Sequence, residues 1–327
     1  MKTFQALRLH AGEAEPARRV ETLSLEALSP GNVVIEVAWS SINYKDALAS
    51  RGQNAIVRNY PRIGGIDLTG VVASSEDARF APGDEVIVHG FGIGVDHDGG
   101  HAQVARVPGD WVLRLPSGLS LFEAATIGAA GYTAGLSLHL MELNGLAPRS
   151  GPVIVTGATG GVASVAIDML AGRGYDVVAM SGKTDAHAYL RSLGAREIIG
   201  RLDTTISPKP LEKARWAGAV DSVGGMTLAW LTRTMQSDGV ITAFGNAGGA
   251  ELETTVLPFI LRGVRLLGVN ANSPMALRAV VWEKIARDFR PRHLDTIAHV
   301  ITLPELPQAM DRMLAGETTG RAVVRMH

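Results

Sequence analysis

A glycine-rich turn between residues 153 and 164 is the clearest sign of chemistry in this sequence. The stretch Val-Ile-Val-Thr-Gly-Ala-Thr-Gly-Gly-Val-Ala-Ser passes from a short apolar run, typical of a buried strand, into a turn and then a helix pattern. Glycines let the backbone approach a pyrophosphate, and a helix N-terminus offers free N–H groups and a positive dipole end. The turn therefore favours a redox enzyme that binds a dinucleotide, with predicted pyrophosphate contacts from Thr159, Gly160, Gly161 and Val162.

The turn departs from the G-x-G-x-x-G spacing of dinucleotide sites. That spacing requires glycine at 158, 160 and 163, and the chain has Ala158, Gly160 and Ala163. Alanine is accepted at the third place. Alanine at the first place requires a turn without a positive φ at that residue. Gly157 can supply the positive φ instead. An ordinary turn between a strand and a helix is the alternative interpretation.

The residues that follow the second predicted strand, 175–180, indicate which dinucleotide binds. They are Ser181, Gly182 and Lys183, and they stand about 20 residues after the turn, where an NAD-binding unit places an acid on the ribose 2′-hydroxyl. A carboxylate would repel a 2′-phosphate, whereas a hydroxyl and a cation would bind it. We therefore predict NADPH. The alternative is a helix N-cap beside a solvated lysine, and the nearby Asp185 weakens the preference if it faces the phosphate.

Three further polar residues are candidate cofactor contacts. Arg201 lies past the third predicted strand and is a candidate for the 2′-phosphate, with an ordinary surface residue as the alternative. Asn246 and Asn270 follow later strands, on the side of the sheet where α/β domains bind ligands.

The composition limits the function classes. A chain of 327 residues suggests two domains, and its 46% hydrophobic content can fill both cores. The 31 Lys and Arg against 32 Asp and Glu argue against a nucleic acid or a membrane surface as partner. No apolar run approaches the ~20 residues of a membrane span. The N-terminal segment lacks a signal-peptide core, so we expect a cytoplasmic enzyme.

The chain has no cysteine, which excludes disulfides, thiol catalysis and every cysteine-based zinc site. The histidines His97 and His101 stand close together, and Asp96 and Asp98 flank the first of them. A His/Asp metal site is one interpretation. The favoured interpretation is a polar loop, within a long mobile segment over 90–100.

Two kinds of architecture must position these residues. The first third has short strand patterns at 32–39, 67–73 and 85–89, separated by Pro/Gly turns, which indicates a partly open β-barrel. From residue 122 strands and helices alternate, which indicates a parallel sheet with helices on both faces. We expect the last strand, 320–325, to return to the barrel, so that the nucleotide domain is an insertion.

Short segments along almost the whole chain carry a family pattern. They are Asn43-Tyr44-Lys45-Asp46, Gly64-Gly65-Ile66-Asp67-Leu68-Thr69-Gly70, Pro82-Gly83-Asp84-Glu85-Val86, the glycine turn at 157–162, Leu193-Gly194-Ala195, Val220-Asp221-Ser222-Val223-Gly224 and Gly320-Arg321. With them the chain resembles the medium-chain dehydrogenase/reductase superfamily. Within the superfamily it is similar to the zinc-free, quinone-oxidoreductase-like branch. The segments 39–48, 210–213 with 216–218, and 258–262 make it similar, within that branch, to the acryloyl-CoA reductase group.

The resemblance implies an α/β chain with a GroES-like β-barrel domain over 1–121 and 271–327. The other domain, over 122–270, would be a Rossmann doubly wound parallel-sheet domain. It further implies NADPH as hydride donor, reduction of an activated C=C bond, and a homodimer formed near 254–270. Zinc-dependent relatives carry a cysteine close to Asn43 and Gly-His-Glu near 64, both replaced here, so no metal is expected. The family often has glycine at 163 and proline at 64, where this chain has Ala163 and Gly64.

Tyr44 and Asn43 are the candidate catalytic residues under this resemblance. Hydride addition to acryloyl-CoA places negative charge on the thioester oxygen, so the enzyme needs a donor there and an acid for the α-carbon. Tyr44 would donate the proton, or would orient the cofactor and the thioester through its ring and hydroxyl, and Asn43 would supply an amide contact. The alternative is that Tyr44 only packs against the cofactor as an aromatic residue. A pair between Lys45 and Asp46 would hold the segment.

Two other residues and two other functions complete the predictions. Arg321 is a predicted cofactor contact, and Asp67 is expected to anchor a turn in the barrel. The same scaffold would serve an NADPH-dependent quinone or enone oxidoreductase, which is the alternative substrate class. A third function is a non-catalytic NADPH-binding sensor or structural protein.

Overall fold

The computed structural model describes residues 3–12, 15–202 and 209–327. The chain forms two compact units. The first contains the residues up to Ala130 together with Asn272–Ala279 and Leu294–His327, and the second contains Gly131–Ala271 and Val280–His293. Within the described ranges, no helix combines the length and the apolar character that crossing a membrane requires. The domain boundaries that the resemblance implies, 1–121 with 271–327 for the GroES-like domain and 122–270 for the Rossmann domain, stay a prediction.

The described strands, in chain order, are β1 (Thr3–His10), β2 (Ala17–Ser24), β3 (Val33–Ser41), β4 (Arg62–Ile63), β5 (Asp67–Ser75), β6 (Glu85–His89), β7 (Val104–Val107), β8 (Val112–Arg114), β9 (Val153–Val155), β10 (Val177–Met180), β11 (Glu197–Ile199), β12 (Trp216–Asp221), β13 (Met235–Ala243), β14 (Arg265–Gly268), β15 (Ala298–Thr302) and β16 (Arg321–Arg325). The described α-helices are α1 (Tyr44–Ser50), α2 (Leu121–Leu143), α3 (Gly161–Gly172), α4 (His187–Ser192), α5 (Gly225–Thr234), α6 (Leu257–Arg262), α7 (Met275–Ala286), α8 (Leu294–Ile297) and α9 (Leu306–Leu314).

The first unit is built on a seven-stranded sheet. Its strands follow the order β15-β16-β3-β5-β6-β8, and β7 also pairs with β3. In β3 the buried residues Val33, Ile35 and Val37 alternate with more exposed neighbours, as expected when one face of a strand lies in a core. A three-stranded sheet of order β2-β1-β4 accompanies it. This is the predicted GroES-like domain.

The last strand of the chain belongs to the first unit. β16 runs antiparallel to β3, with Val323 opposite Ser41, and parallel to β15, with Ala298 opposite Arg321. The predicted return of the final strand to the barrel is confirmed. It brings the start of β16 next to the end of β3, where the segment that contains Asn43 and Tyr44 begins.

The second unit contains the predicted Rossmann sheet. Its six parallel strands have the order β11-β10-β9-β12-β13-β14, which is the 3-2-1-4-5-6 order of doubly wound dinucleotide folds. The residues of β9 are completely buried, as in a strand covered on both faces. The strand order reverses between β9 and β12, so ligands are expected beyond the carboxyl ends of these two strands.

The glycine-rich segment 90–100 differs from the expectation of a long mobile loop. Asp98 is 7% exposed and accepts hydrogen bonds from the backbone N–H groups of Ser29 at 2.8 Å and Ile63 at 3.0 Å. The ring of His97 hydrogen-bonds to the carbonyl oxygens of Pro30 and Asp98. Partners that lie more than thirty positions away in the chain hold much of the segment inside the first unit.

Candidate active site and cofactor site

The glycine turn of the second unit connects β9 to α3 through a close backbone approach. Gly157 has a φ of +57°, so it takes the left-handed conformation, and a Cβ there would lie 2.4 Å from the Ser222 hydroxyl oxygen. The hydroxyl of Thr156 donates to the carboxylate of Asp221 at 2.6 Å, and Asp221 ends β12. Burial raises the pKa of Asp221, against the lowering effect of this hydrogen bond. The carboxyl ends of β9 and β12 are thereby tied together under the turn.

The N-terminus of α3 is open to a ligand. Gly160 is its N-cap, in an extended conformation, and no side chain of the described residues caps the first turn. Thr159 is mostly buried, whereas Gly160 is exposed and Gly161 and Val162 are half-buried. Uncapped N–H groups beside a glycine backbone fit a pyrophosphate.

The predicted 2′-phosphate residues meet at the carboxyl end of β10. Ser181 follows this strand, and its hydroxyl oxygen accepts the backbone N–H of Lys183 at 3.1 Å. A Cβ on Gly182 would lie 2.8 Å from Nε of Arg201, so the Arg201 side chain packs directly on this glycine. A hydroxyl and the Arg201 side chain therefore meet, next to Lys183 in the chain, where an acid would stand in an NAD site, and these residue types fit NADP(H).

Asn246 and Asn270 also lie on this side of the sheet. Both are exposed, three residues after the end of β13 and two after the end of β14. Because all six strands are parallel, the carboxyl ends of β13 and β14 share the sheet edge of the glycine turn. Their contacts with a cofactor stay a prediction.

The candidate catalytic segment of the first unit begins α1. Asn43 is the N-cap, and Tyr44 is the first helical residue, with half of its surface exposed (50%). The predicted pair between Lys45 and Asp46 is wrong. Asp46 is buried and accepts the backbone N–H groups of Asn43 at 2.8 Å and Ile66 at 2.9 Å, whereas Lys45 is exposed. Burial raises the pKa of Asp46, against the opposing effect of His101.

The side-chain amide of Asn43 is fully hydrogen-bonded within the protein. Its Nδ2 donates to Asp46 at 3.2 Å and to Asp67 at 2.9 Å, and its Oδ1 accepts from Arg321 at 3.0 Å. Both amide hydrogens are thus directed at carboxylates. The structure gives Asn43 the task of holding the start of α1, and its amide contact with a substrate stays a prediction.

Asp67 is the hub of this cluster. Oδ1 accepts from the backbone N–H and the hydroxyl of Ser41, at 3.1 and 2.6 Å. Oδ2 accepts from Asn43 and from the backbone N–H of Ala129 at 2.9 Å, and it lies 3.6 Å from Arg321. The expectation that Asp67 is structural fits these contacts, although it anchors a segment and a helix start rather than a turn.

Sequence patterns missed Ser41, Thr156 and Ala129. Ser41 stands in the segment 39–48 without an assigned role, and its partner Asp67 is 26 positions away. Thr156 precedes the glycine turn, and its partner Asp221 stands in another quoted segment without an assigned role. Only the folded chain brings these pairs together.

Metal-binding geometry is not present in the described part of the chain, where no three side chains of His, Asp or Glu are grouped so that they could hold an ion. His97 bonds to backbone carbonyls, and His101 is buried with Nε2 3.3 Å from the carbonyl oxygen of Ser41.

Comparison with known proteins places this architecture. Residues 29–117 match the model of the alcohol dehydrogenase GroES-like domain. The chain is 48% identical to the putative quinone oxidoreductase YhfP of Bacillus subtilis over 99% of both chains, and 44% identical to the probable acrylyl-CoA reductase AcuI of Escherichia coli, over 99% of this chain and 100% of that protein. Solved structures of YhfP with NAD bound and of the yhdH oxidoreductase from Salmonella enterica with NADP both superpose with a TM-score of 0.96, at 48% and 44% identity, over 99% of this chain and 100% of theirs. The chain therefore belongs to the medium-chain dehydrogenase/reductase family.

Proposed function

We propose that this protein is an NADPH-dependent acryloyl-CoA reductase, which converts the activated C=C bond of acryloyl-CoA to the saturated bond of propionyl-CoA without a metal. The support for the substrate is full-length similarity, at 44% identity, to a protein named as a probable acrylyl-CoA reductase. The observation that carries the cofactor choice is the group of Ser181, Lys183 and Arg201 around Gly182, with no acid at the end of β10.

NADPH would be held by the second unit. Its pyrophosphate would bind the uncapped start of α3, and its 2′-phosphate would bind Ser181, Lys183 and Arg201. The bound cofactor supplies a hydride. A relative with NAD bound exists at 48% identity, so the charge around Ser181, rather than the fold, is the argument for NADPH.

Tyr44 is the residue of the first unit that we assign to the substrate. Reduction of an α,β-unsaturated thioester develops negative charge on the thioester oxygen and requires a proton at the α-carbon. The phenol of Tyr44 is exposed and can donate, whereas the neighbouring Asn43 amide is already bonded to Asp46, Asp67 and Arg321. We assign Tyr44 to the proton or to the orientation of the thioester.

A substrate panel tests the proposal. Purified enzyme with NADPH is given acryloyl-CoA, a quinone or an enone, and cofactor oxidation is measured together with the acyl-CoA product by mass spectrometry. We expect turnover with acryloyl-CoA and formation of propionyl-CoA. Turnover with the quinone alone would favour the alternative of a quinone oxidoreductase, which the similarity to YhfP supports, and no turnover with any of the three would favour a non-catalytic NADPH-binding protein.

A phenylalanine substitution separates the two roles of Tyr44. If the phenol donates the proton, Tyr44→Phe lowers kcat by about 100-fold, the usual contribution of a general acid, and leaves NADPH affinity unchanged. Tyr60→Phe, a half-buried tyrosine of the same unit, is the control. Unchanged turnover of Tyr44→Phe would leave only an orienting or packing role.

The proposal also covers metal independence, location and assembly. A sequence without cysteine lacks the ligands of most family zinc sites and fits a reducing compartment such as the cytoplasm. Activity that survives chelation, with no metal found by elemental analysis, would support the first point. For assembly we propose a homodimer through the open edge of β14 and the neighbouring α6, where Val256, Ile260 and Leu261 are exposed.

A further inference from the structure

The guanidinium of Arg321 is buried at the start of β16 with all of its nitrogens directed at oxygens. The residue is 2% exposed. Nε donates to the carbonyl of Thr126 at 3.1 Å, and one terminal nitrogen donates to the carbonyl of Ile42 and to Oδ1 of Asn43, both at 3.0 Å. The other terminal nitrogen donates to the Ser41 hydroxyl and lies 3.6 Å from Asp67.

Three of these acceptors lie in three consecutive residues, Ser41, Ile42 and Asn43, which directly precede Tyr44. We infer that Arg321 is a positioning residue for the reaction: it fixes the segment 41–43, and through that segment the phenol of Tyr44, and it is not a ligand of the cofactor phosphates. The inference rests on the proposed role of Tyr44.

Asp67 provides the second half of this arrangement. Its carboxylate oxygens accept hydrogen bonds from the same segment, namely from the backbone N–H and hydroxyl of Ser41 and from the side-chain amide of Asn43. Its carboxylate also lies 3.6 Å from the guanidinium. Burial lowers the pKa of Arg321, and the charge of Asp67 opposes that effect. The planar guanidinium serves four acceptors in fixed directions, which the single ammonium of a lysine cannot reproduce.

A phosphate contact would require the guanidinium to give up these bonds. A buried donor that leaves its acceptors unpaired incurs their desolvation cost. The cationic residues at the predicted phosphate site are instead Lys183, two positions after Ser181, and Arg201, whose side chain packs on Gly182, in the second unit. We therefore infer that Arg321, predicted from the sequence as a cofactor contact, has a hydrogen-bonding role within the first unit.

The test compares turnover with cofactor affinity in two variants. Arg321→Lys keeps the charge, and the double variant Arg321→Gln with Asp67→Asn keeps a neutral polar pair. We expect kcat for acryloyl-CoA to fall at least about 30-fold in both, while the Kd for NADPH, from cofactor fluorescence, stays within about threefold, because a positioning residue affects the transition state more than cofactor binding. Arg325→Lys, on the exposed end of the same strand, is the control and should match the wild type in both measurements.

Each other outcome contradicts the inference. A Kd that weakens more than about tenfold while kcat at saturating NADPH is retained would make Arg321 a phosphate ligand. Unchanged kcat and Kd would leave Arg321 as packing only, and loss of the folded state in both variants would make it a stability residue. If the wild type does not reduce acryloyl-CoA, the proposed function fails, and the same two variants are then measured with whichever quinone or enone it does reduce.

Discussion

The predicted choice of NADPH rests on a few residues around Ser181. Ser181 and Lys183 follow β10, and the Arg201 side chain packs on Gly182 between them, where a carboxylate would select NAD. Charge-assisted hydrogen bonds to a phosphate are about twice as strong as neutral ones. Replacing one cation by an acid at this place therefore removes an attraction to the 2′-phosphate and adds a repulsion.

We therefore predict that Lys183→Glu lowers kcat/KM for NADPH by about 100-fold and leaves that for NADH within about threefold, since a close like charge costs a few kcal/mol in a partly desolvated site. Steady-state kinetics with both cofactors measure this. Arg149→Glu is the matched control, because it makes the same charge change on an exposed residue just before the amino end of β9, whereas Lys183 follows the carboxyl end of the neighbouring strand β10. An unchanged NADPH preference in Lys183→Glu would contradict the assignment.

His89 is a second residue whose environment has a measurable consequence. It is buried at the end of β6, and burial, followed by the nearby Arg278, holds the pKa of His89 well below its usual range. In the unfolded chain the same ring takes up a proton near its ordinary pKa of about 6.5. Its contribution to stability is therefore complete above that pH and is lost as the pH falls below it.

Removing this ring should flatten the pH dependence of stability. Between about pH 7.5 and pH 5.5 the wild type should lose up to about 1.4 kcal/mol of unfolding free energy through His89, and His89→Asn should not. The asparagine oxygen stands in for Nδ1, which lies 3.1 Å from an Arg278 nitrogen. Urea denaturation at both pH values measures the difference, with the exposed His299→Asn as control. Equal pH slopes in wild type and His89→Asn would show that the ring is not held neutral.

Individual residues were predictable where the chemistry is local. The hydroxyl and lysine after β10 and the glycine turn after β9 follow one another in the sequence, so their types and spacing were sufficient to predict a nucleotide site. The cluster of Asn43 and Asp67 was not predictable in the same way, because their contact spans 24 positions and needs Arg321 from the end of the chain.

At the level of elements, the break in α2 shows how the buried cluster shapes the backbone. Gly128 interrupts this helix with a φ of +49° and a ψ of −158°. The next backbone N–H, that of Ala129, donates to Asp67 at 2.9 Å, so the carboxylate acts as an N-cap for the remainder of the helix. The abundance of alanine and leucine over 122–143 predicts a helix, but it does not predict the break, because the cause of the break lies in β5 and β16.

An alanine at this break should be strongly destabilising. A Cβ on Gly128 would lie 2.6 Å from both an Arg321 nitrogen and an Asp67 oxygen, in addition to the unfavourable positive φ. We predict a loss of about 4 kcal/mol of unfolding free energy. Gly145→Ala, just after the same helix, has a φ of +93° and nothing within 4 Å of its Cβ, so it should lose only about 1–2 kcal/mol. Similar losses in the two variants, measured by urea denaturation, would contradict the proposed crowding at Gly128.

Strand prediction shows the same boundary between local and distant information. The apolar runs of β9 and β10, each followed by a helix pattern, predict two strands of the Rossmann sheet from local information alone. Sequence patterns miss β15, because three of its five residues, His299, Val300 and Thr302, are exposed, and among the described strands it pairs with β16 alone. The glycine content of 90–100 predicts a mobile loop. Asp98 instead accepts hydrogen bonds from Arg62 and Ile63 of β4, and this contact is recognisable only in the folded chain.

At the level of the whole molecule, the second unit presents an edge that a second copy can complete. β14 ends the six-stranded sheet, and an edge strand with open backbone groups is a natural site for pairing. Next to it in the chain, α6 exposes Ile260 (68%) and Leu261 (63%), and its N-cap residue Val256 is also exposed (66%). Apolar side chains that cluster beside an open strand favour a self-complementary interface over a free surface.

The prediction is that Ile260→Glu with Leu261→Glu converts a dimer into a monomer, raising the dimer Kd by at least about 100-fold, because four carboxylates would be brought into one desolvated two-fold interface. Light scattering coupled to size-exclusion chromatography measures the mass of both proteins. Leu143→Glu is the matched control, since Leu143 is as exposed (69%) but stands at the end of α2, far along the chain from β14, and should leave the dimer intact. A monomeric wild type would contradict the proposed assembly, and a double variant that remains a dimer would show that the interface lies elsewhere.

Cofactor fluorescence of the monomeric variant then decides whether the second unit needs its copy in order to bind NADPH. Because the glycine turn, Ser181 and Arg201 all belong to the second unit of one chain, we expect the monomer to bind NADPH with unchanged affinity.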